Sequence, residues 1–89
     1  LRWNDIPWPV LDPRQPSDLT LANMRVFLFS EQHSMVVTQK ERARAALLRW
    51  HPDRFEGRWL ESCAEQEREA IKASVGDVAR ALNELWSQC

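Results

Sequence analysis

Residues 38–55, TQKERARAALLRWHPDRF, decide how the rest of the chain is read. Thr38 with Glu41 three residues on is the pattern of a capping box. The threonine oxygen accepts from one unpaired backbone amide and the glutamate from another. Such a cap is worth about 1 kcal/mol. Ala43, Ala46, Leu47 and Trp50 follow at the i, i+3, i+4, i+7 spacing of one helical face. Alanine, leucine and arginine favour helix. Pro52 lacks an amide hydrogen and pushes His51 out of helical geometry. The stretch therefore predicts a helix from Gln39 to Trp50 that stops at His51-Pro52-Asp53. Lys40, Arg42, Arg44 and Arg49 lie off the apolar face, with Arg54 just beyond, and only Glu41 opposes them. Arg49 and His51 also suit the negative end of the helix dipole.

The chain of 89 residues is one small domain with a modest core. It opens on Leu1 rather than methionine, as a piece of a longer protein would. Its net charge of −1 gives no overall attraction to nucleic acid. The charge is segregated, however. Residues 38–50 carry four positive and one negative charge, whereas residues 56–70 carry five glutamates and two arginines. A basic face beside an acidic one points to a protein partner more than to a phosphate backbone. The two cysteines, Cys63 and Cys89, are too few and too far apart for a disulfide framework. Free thiols in a reducing, intracellular compartment are expected. No signal peptide and no apolar run of membrane-spanning length is present in these residues.

Residues 1–16, LRWNDIPWPVLDPRQP, hold four of the five prolines and two of the five tryptophans. Proline at that density sets an extended, non-helical path. Trp3, Ile6, Trp8, Val10 and Leu11 are too apolar for a plain linker, and two readings stand. The arm lies against the helical body and buries its tryptophans, or Trp3 and Trp8 form a strip that docks on another protein. In residues 17–30, Ser17 or Thr20 can cap a first helix whose Leu21, Met24, Phe27 and Leu28 share one face. Met35 and Val36 are placed to staple the next helix from before its cap. His33 reads as a lone surface histidine.

Beyond the tripeptide, Gly57 permits a turn, and Phe55, Trp59 and Leu60 are expected to fold back as an apolar lid. A long helix is predicted from Ser62, with Glu65, Glu67 and Glu69 exposed. Its apolar register is Ile71, Val75, Val78, Leu82 and Leu85, flanked by Ala81 and Trp86. Gly76 costs about 1 kcal/mol relative to alanine there, and marks a close helix approach or a kink. No strand pattern competes. The expected architecture is all-α: three main helices behind an extended arm.

Catalysis finds no support in these residues. No serine or cysteine nucleophile is patterned with His51 and Asp53. His33, His51, Cys63 and Cys89 lack metal-ligand spacing, and two glycines cannot make a phosphate loop. No cofactor is called for. Aromatic residues are not interleaved with the basic ones as single-strand nucleic-acid readers need. Taken alone, His51-Pro52-Asp53 also fits a helix cap followed by a turn.

With its basic helix before it and its apolar register after it, the tripeptide resembles that of a J domain, the co-chaperone module of the DnaJ family. An aromatic residue, Trp50 here and usually tyrosine there, precedes the histidine. Arg44 and Arg49 fall where the family carries basic residues. Val75, Val78, Ala81-Leu82 and Leu85 fall where it has its downstream apolar positions. The resemblance spans residues 18–86. It departs at the opening of the first helix, and at Ala43 and Ala45, where tyrosine and lysine are common. It implies a small bundle, residues 17–89, built as an antiparallel helix pair around a His-Pro-Asp loop, with residues 1–16 as the arm. It also implies that His51, Pro52 and Asp53, with Lys40, Arg42, Arg44, Arg49 and Arg54, engage a DnaK-type heat-shock ATPase. DIPWPV and LLRWHPDRF, in turn, resemble the C-terminal J-like segment of the NF-kappa-B inhibitor-like proteins, including fungal relatives. That resemblance implies a nuclear, spliceosome-associated RNA-processing protein whose J-like fold binds a protein partner without stimulating an ATPase.

Overall fold

The computed structural model describes residues 1–29 and 38–88, and among them it consists of helices and turns with no strand. The helices are α1 (Leu21–Leu28), α2 (Gln39–Arg49), α3 (Pro52–Arg58) and α4 (Arg68–Ser87). Single 3-10 turns occur at Trp3–Asp5, Pro16–Asp18, Leu60–Ser62 and Glu65–Glu67. The Thr20 hydroxyl caps α1 by accepting from the Asn23 amide at 3.2 Å, and the Thr38 hydroxyl caps α2 by accepting from the Glu41 amide at 3.1 Å. Each satisfies one of the amides that a helix start leaves unpaired. Met35, Val36, His33 and Cys89 lie outside the described residues.

The long apolar register is buried as its spacing predicts. Ile71, Val78, Leu82 and Leu85 are wholly enclosed, and Val75 nearly so. They face Met24 of α1 and the Ala43 and Trp50 side of the second helix, with Ala46 and Leu47 packed at the core's edge. The Lys40 ammonium, at the start of α2, lies 5.7 Å from the ring of Trp86, at the end of α4. The other end of α2 reaches the first half of α4 through the adjoining rings of Trp50, Trp8 and Trp3, whose indole bonds Ser74. The two helices therefore run antiparallel.

Four details differ from expectation. Pro52 ends α2 and at once begins α3, so the described residues hold four α-helices rather than three, and the tripeptide is a helix start rather than an open loop. A proline at the first helical position gives up no bond, because that amide would be unpaired anyway. Gly57 lies inside α3 with no positive φ and makes no turn. The last helix begins at Arg68, not Ser62. Extended backbone at Cys63 separates the two 3-10 turns before it. Of the expected lid, Phe55 is buried but Trp59 remains 47% exposed.

The arm shares the core of the helices. Trp3, Ile6, Trp8 and Val10 are each less than a tenth exposed, while Leu11 is open to solvent. The amide of Trp8 donates to the Ile6 carbonyl and that of Val10 to the Trp8 carbonyl, both at 2.8 Å. These are three-residue turns centred on Pro7 and Pro9, whose fixed φ suits them. The arm follows the first of its two readings: the indoles of Trp3 and Trp8 fill this chain's own core rather than standing open to another protein.

Candidate interaction site

His51 and Asp53 sit exposed at the junction of α2 and α3, with Pro52 half-buried between them. The Nδ1 atom of His51 accepts from the Asp53 amide at 3.3 Å, which makes the histidine the N-cap of α3. That bond requires an unprotonated Nδ1, so a neutral His51 keeps its proton on Nε2 and can donate outward. The Asp53 carboxylate lies in the first turn of α3, where the helix dipole favours negative charge.

A column of aromatic rings supports the junction. Trp3 and Trp8 are 5.2 Å apart between centroids, Trp8 and Trp50 5.3 Å, and Trp50 and Phe55 6.1 Å. Trp50 and Phe55 flank the tripeptide in sequence, so the column connects the arm to both sides of it. Its buried polar edges are satisfied. The indole N–H of Trp3 donates to Ser74 Oγ, and that of Trp8 to the Trp3 carbonyl, each at 2.9 Å. The arm is anchored at its other end by Glu67. One carboxylate oxygen accepts from the Trp3 amide at 3.0 Å and the other from Arg2 Nε at 2.6 Å. The Trp3 amide first, and then Arg2, hold the Glu67 carboxyl below its ordinary pKa. On the far side Lys72 pairs with Glu56 at 3.5 Å, tying α3 to α4.

The basic residues do not form one face. At about 100° per residue, Lys40 and Arg44 lie on the opposite side of α2 from Arg42 and Arg49. Lys40 leans toward Trp86. Arg42 and Arg49 line an open groove of about 950 Å³ between the arm, the end of α1, α2 and α3. Arg54 is exposed on α3 beside the tripeptide. None of these five cations pairs with an acid among the described residues. The structure thus brings His51, Asp53, Arg49 and Arg54 to one end of the molecule and sets Lys40 apart. The Glu67 anchor and the groove were not read from the sequence. The helix start at His51 could have been, since Pro52 at its first position, Asp53 in its first turn and Arg58 in its last are the pattern of a short helix.

Among the described residues no three His, Cys, Asp or Glu side chains lie together as a metal would require. No described helix is long and apolar enough to cross a membrane. Cys63 is buried and free, with Sγ 3.4 Å from the Trp59 carbonyl.

Residues 22–89 match the model of the NF-kappa-B inhibitor-like protein 1 C-terminal domain. The chain belongs to that family. The match takes in almost all of α1 and the whole of α2, α3 and α4, with LLRWHPDRF inside it and the DIPWPV arm outside. No curated protein and no solved structure matches the chain.

Proposed function

We propose that this domain is a protein-interaction module of J-domain type that engages a DnaK-type heat-shock ATPase through His51, Pro52 and Asp53 and the nearby arginines. The carrying observation is the exposed His51 and Asp53 at the end of an antiparallel helix pair, held over a stacked aromatic base. Ordering side chains on binding costs affinity. Here the tripeptide's backbone is already fixed by Pro52, the His51 cap and the ring column. Arg49 and Arg54 add positive charge that speeds encounter with an acidic partner surface. The partner supplies the hydrolytic site; this chain supplies binding energy. Membership of the NF-kappa-B inhibitor-like family supports an interaction domain in an intracellular protein.

One observation favours a second reading. The His51 ring caps α3, so the tripeptide has a structural use that needs no partner. On that reading the fold is a J-like scaffold of a nuclear RNA-processing protein, and binds a partner there without stimulating an ATPase. The two are separated by titrating the isotope-labelled domain with the ATP-bound ATPase and following amide resonances. Shifts centred on His51, Asp53 and Arg54 support the first reading. An unchanged spectrum at saturating ATPase leaves only the scaffold.

A further inference from the structure

We infer that the groove beside α2 is a second binding site, and that it takes an acidic amphipathic helix from a partner protein. Its floor is the α2 face carrying Arg42, Ala45 and Arg49, and its walls include Leu28, Pro7 and the half-exposed Trp59. None of its lining residues belongs to the tripeptide.

Three features select this occupant. Charge is the first. Arg42 and Arg49 line an otherwise largely apolar groove, with no described acid paired to either. Asp5 lies on the arm wall, but its carboxylate is already engaged by the Arg2 amide at 2.8 Å. The groove therefore favours carboxylates along its α2 side.

Backbone chemistry is the second. An extended peptide must find main-chain donors and acceptors in the wall it lies against. This groove is walled by helices, whose amides are internally bonded, by Pro7 and Pro9, which have none, and by Leu1, Asp5 and Ile6, whose N–H groups donate to the Ser62, Arg2 and Trp3 carbonyls. A helix satisfies its own backbone and needs only side-chain contact.

Size is the third. Arg42 and Arg49 are seven residues apart on α2, about 10.5 Å along its axis at 1.5 Å per residue. Two turns of a guest helix span about the same distance. A cylinder of that length and ~10 Å diameter occupies roughly 850 Å³, and the open groove, at about 950 Å³, is large enough to seat it. Carboxylates two turns apart on the guest would meet both arginines, and apolar residues between them would cover Ala45 and Trp59.

The probe is a synthetic peptide of about 18 residues, long enough to hold a helix, with leucine and phenylalanine on one face and glutamates flanking them two turns apart. A version with lysine in place of glutamate and a proline-rich peptide are the comparisons. Each is titrated into the isotope-labelled domain. The acidic peptide should bind saturably, shifting resonances of Ala45, Arg49, Leu28 and Trp59. Ala45→Glu or Arg49→Glu should weaken it about tenfold or more. Arg80→Glu makes the same charge change away from the groove and should leave binding as it was. Each variant is checked for the wild-type spectrum first. Should a charged variant of α2 lose its fold, Ala45→Gln, which fills the floor without charge, replaces it. Equal binding of the lysine peptide, preference for the proline-rich peptide, shifts centred outside the groove, or no saturable binding would each overturn the inference. Arg49 serves both sites, but the tripeptide is not part of the lining and the probe is a peptide with no ATPase present, so failure here is distinct from failure of ATPase engagement.

Discussion

The indole of Trp50 is stacked on that of Trp8, with centroids 5.3 Å apart and planes 20° from parallel. One ring ends the helix before the tripeptide; the other belongs to the proline-rich arm. The arm is thus the surface against which the junction of α2 and α3 is set. Trp8→Ala should destabilise the domain by about 3–5 kcal/mol, the usual cost of truncating a buried large aromatic. Trp8→Phe should cost less, because a ring remains in the column. Urea unfolding followed by circular dichroism measures both. A loss under about 1 kcal/mol for Trp8→Ala would mean that the arm does not share the core.

His51→Asn and His51→Ala should differ in stability. Asparagine is among the best N-caps, whereas alanine removes the acceptor. His51→Ala should lose about 1 kcal/mol and His51→Asn should hold wild-type stability within a few tenths. Thermal melts of the two variants decide the point. Equal losses would show that the Nδ1 bond to the Asp53 amide contributes nothing to α3.

Glu67 gives the anchor of the arm a pH dependence. Its folded-state pKa is depressed below the ordinary 4.5 by the Trp3 amide and Arg2. A depressed carboxylate contributes stability that is present above pH 4.5 and is lost as the pH falls through the lowered value. Wild type should therefore be more stable than Glu67→Gln at neutral pH, with the gap closing under acid. Unfolding midpoints of both proteins across pH 7 to pH 3 test this. A gap independent of pH would assign the difference to packing.

Gly76→Ala should stabilise the domain by about 1 kcal/mol, the helix-propensity difference. A methyl group there would meet only the guanidinium end of Arg80, at an ordinary 3.5 Å. Destabilisation in a chemical melt would instead reveal the close approach that a glycine in mid-helix suggests from sequence.

What the sequence shows and what it hides divide along physical lines. Ile71, Val75, Val78, Leu82 and Leu85 are buried where their spacing puts them, because a helix repeats its faces regularly and burial follows that repeat. The caps at Thr20 and Thr38 were legible for the same local reason. The α3 helix is legible only on a second reading, since proline reads first as a stop and becomes a start once His51 is taken as its cap. The column of Trp3, Trp8, Trp50 and Phe55 joins residues far apart in sequence. No periodicity links an arm to a helix end, so only the assembled structure brings them together. The opposite facing of Lys40 and Arg42 follows from the helical repeat, but their joint clustering in sequence disguised it. His51 and Asp53 were legible as a pair. Their seat on that column was not.

Single-turnover ATP hydrolysis by a DnaK-type ATPase, measured with increasing amounts of this domain, tests the central claim most directly. The informative comparison is wild type against His51→Asn and Asp53→Asn, since asparagine preserves the α3 cap at the first position and removes only charge at the second. Wild type should accelerate hydrolysis in a saturable way, and both variants should lose that acceleration while remaining folded, with Asp53→Asn melting only slightly lower for its lost charge at the start of α3. A folded wild-type domain that leaves the rate unaltered, or a His51→Asn variant that accelerates it equally, would contradict the account.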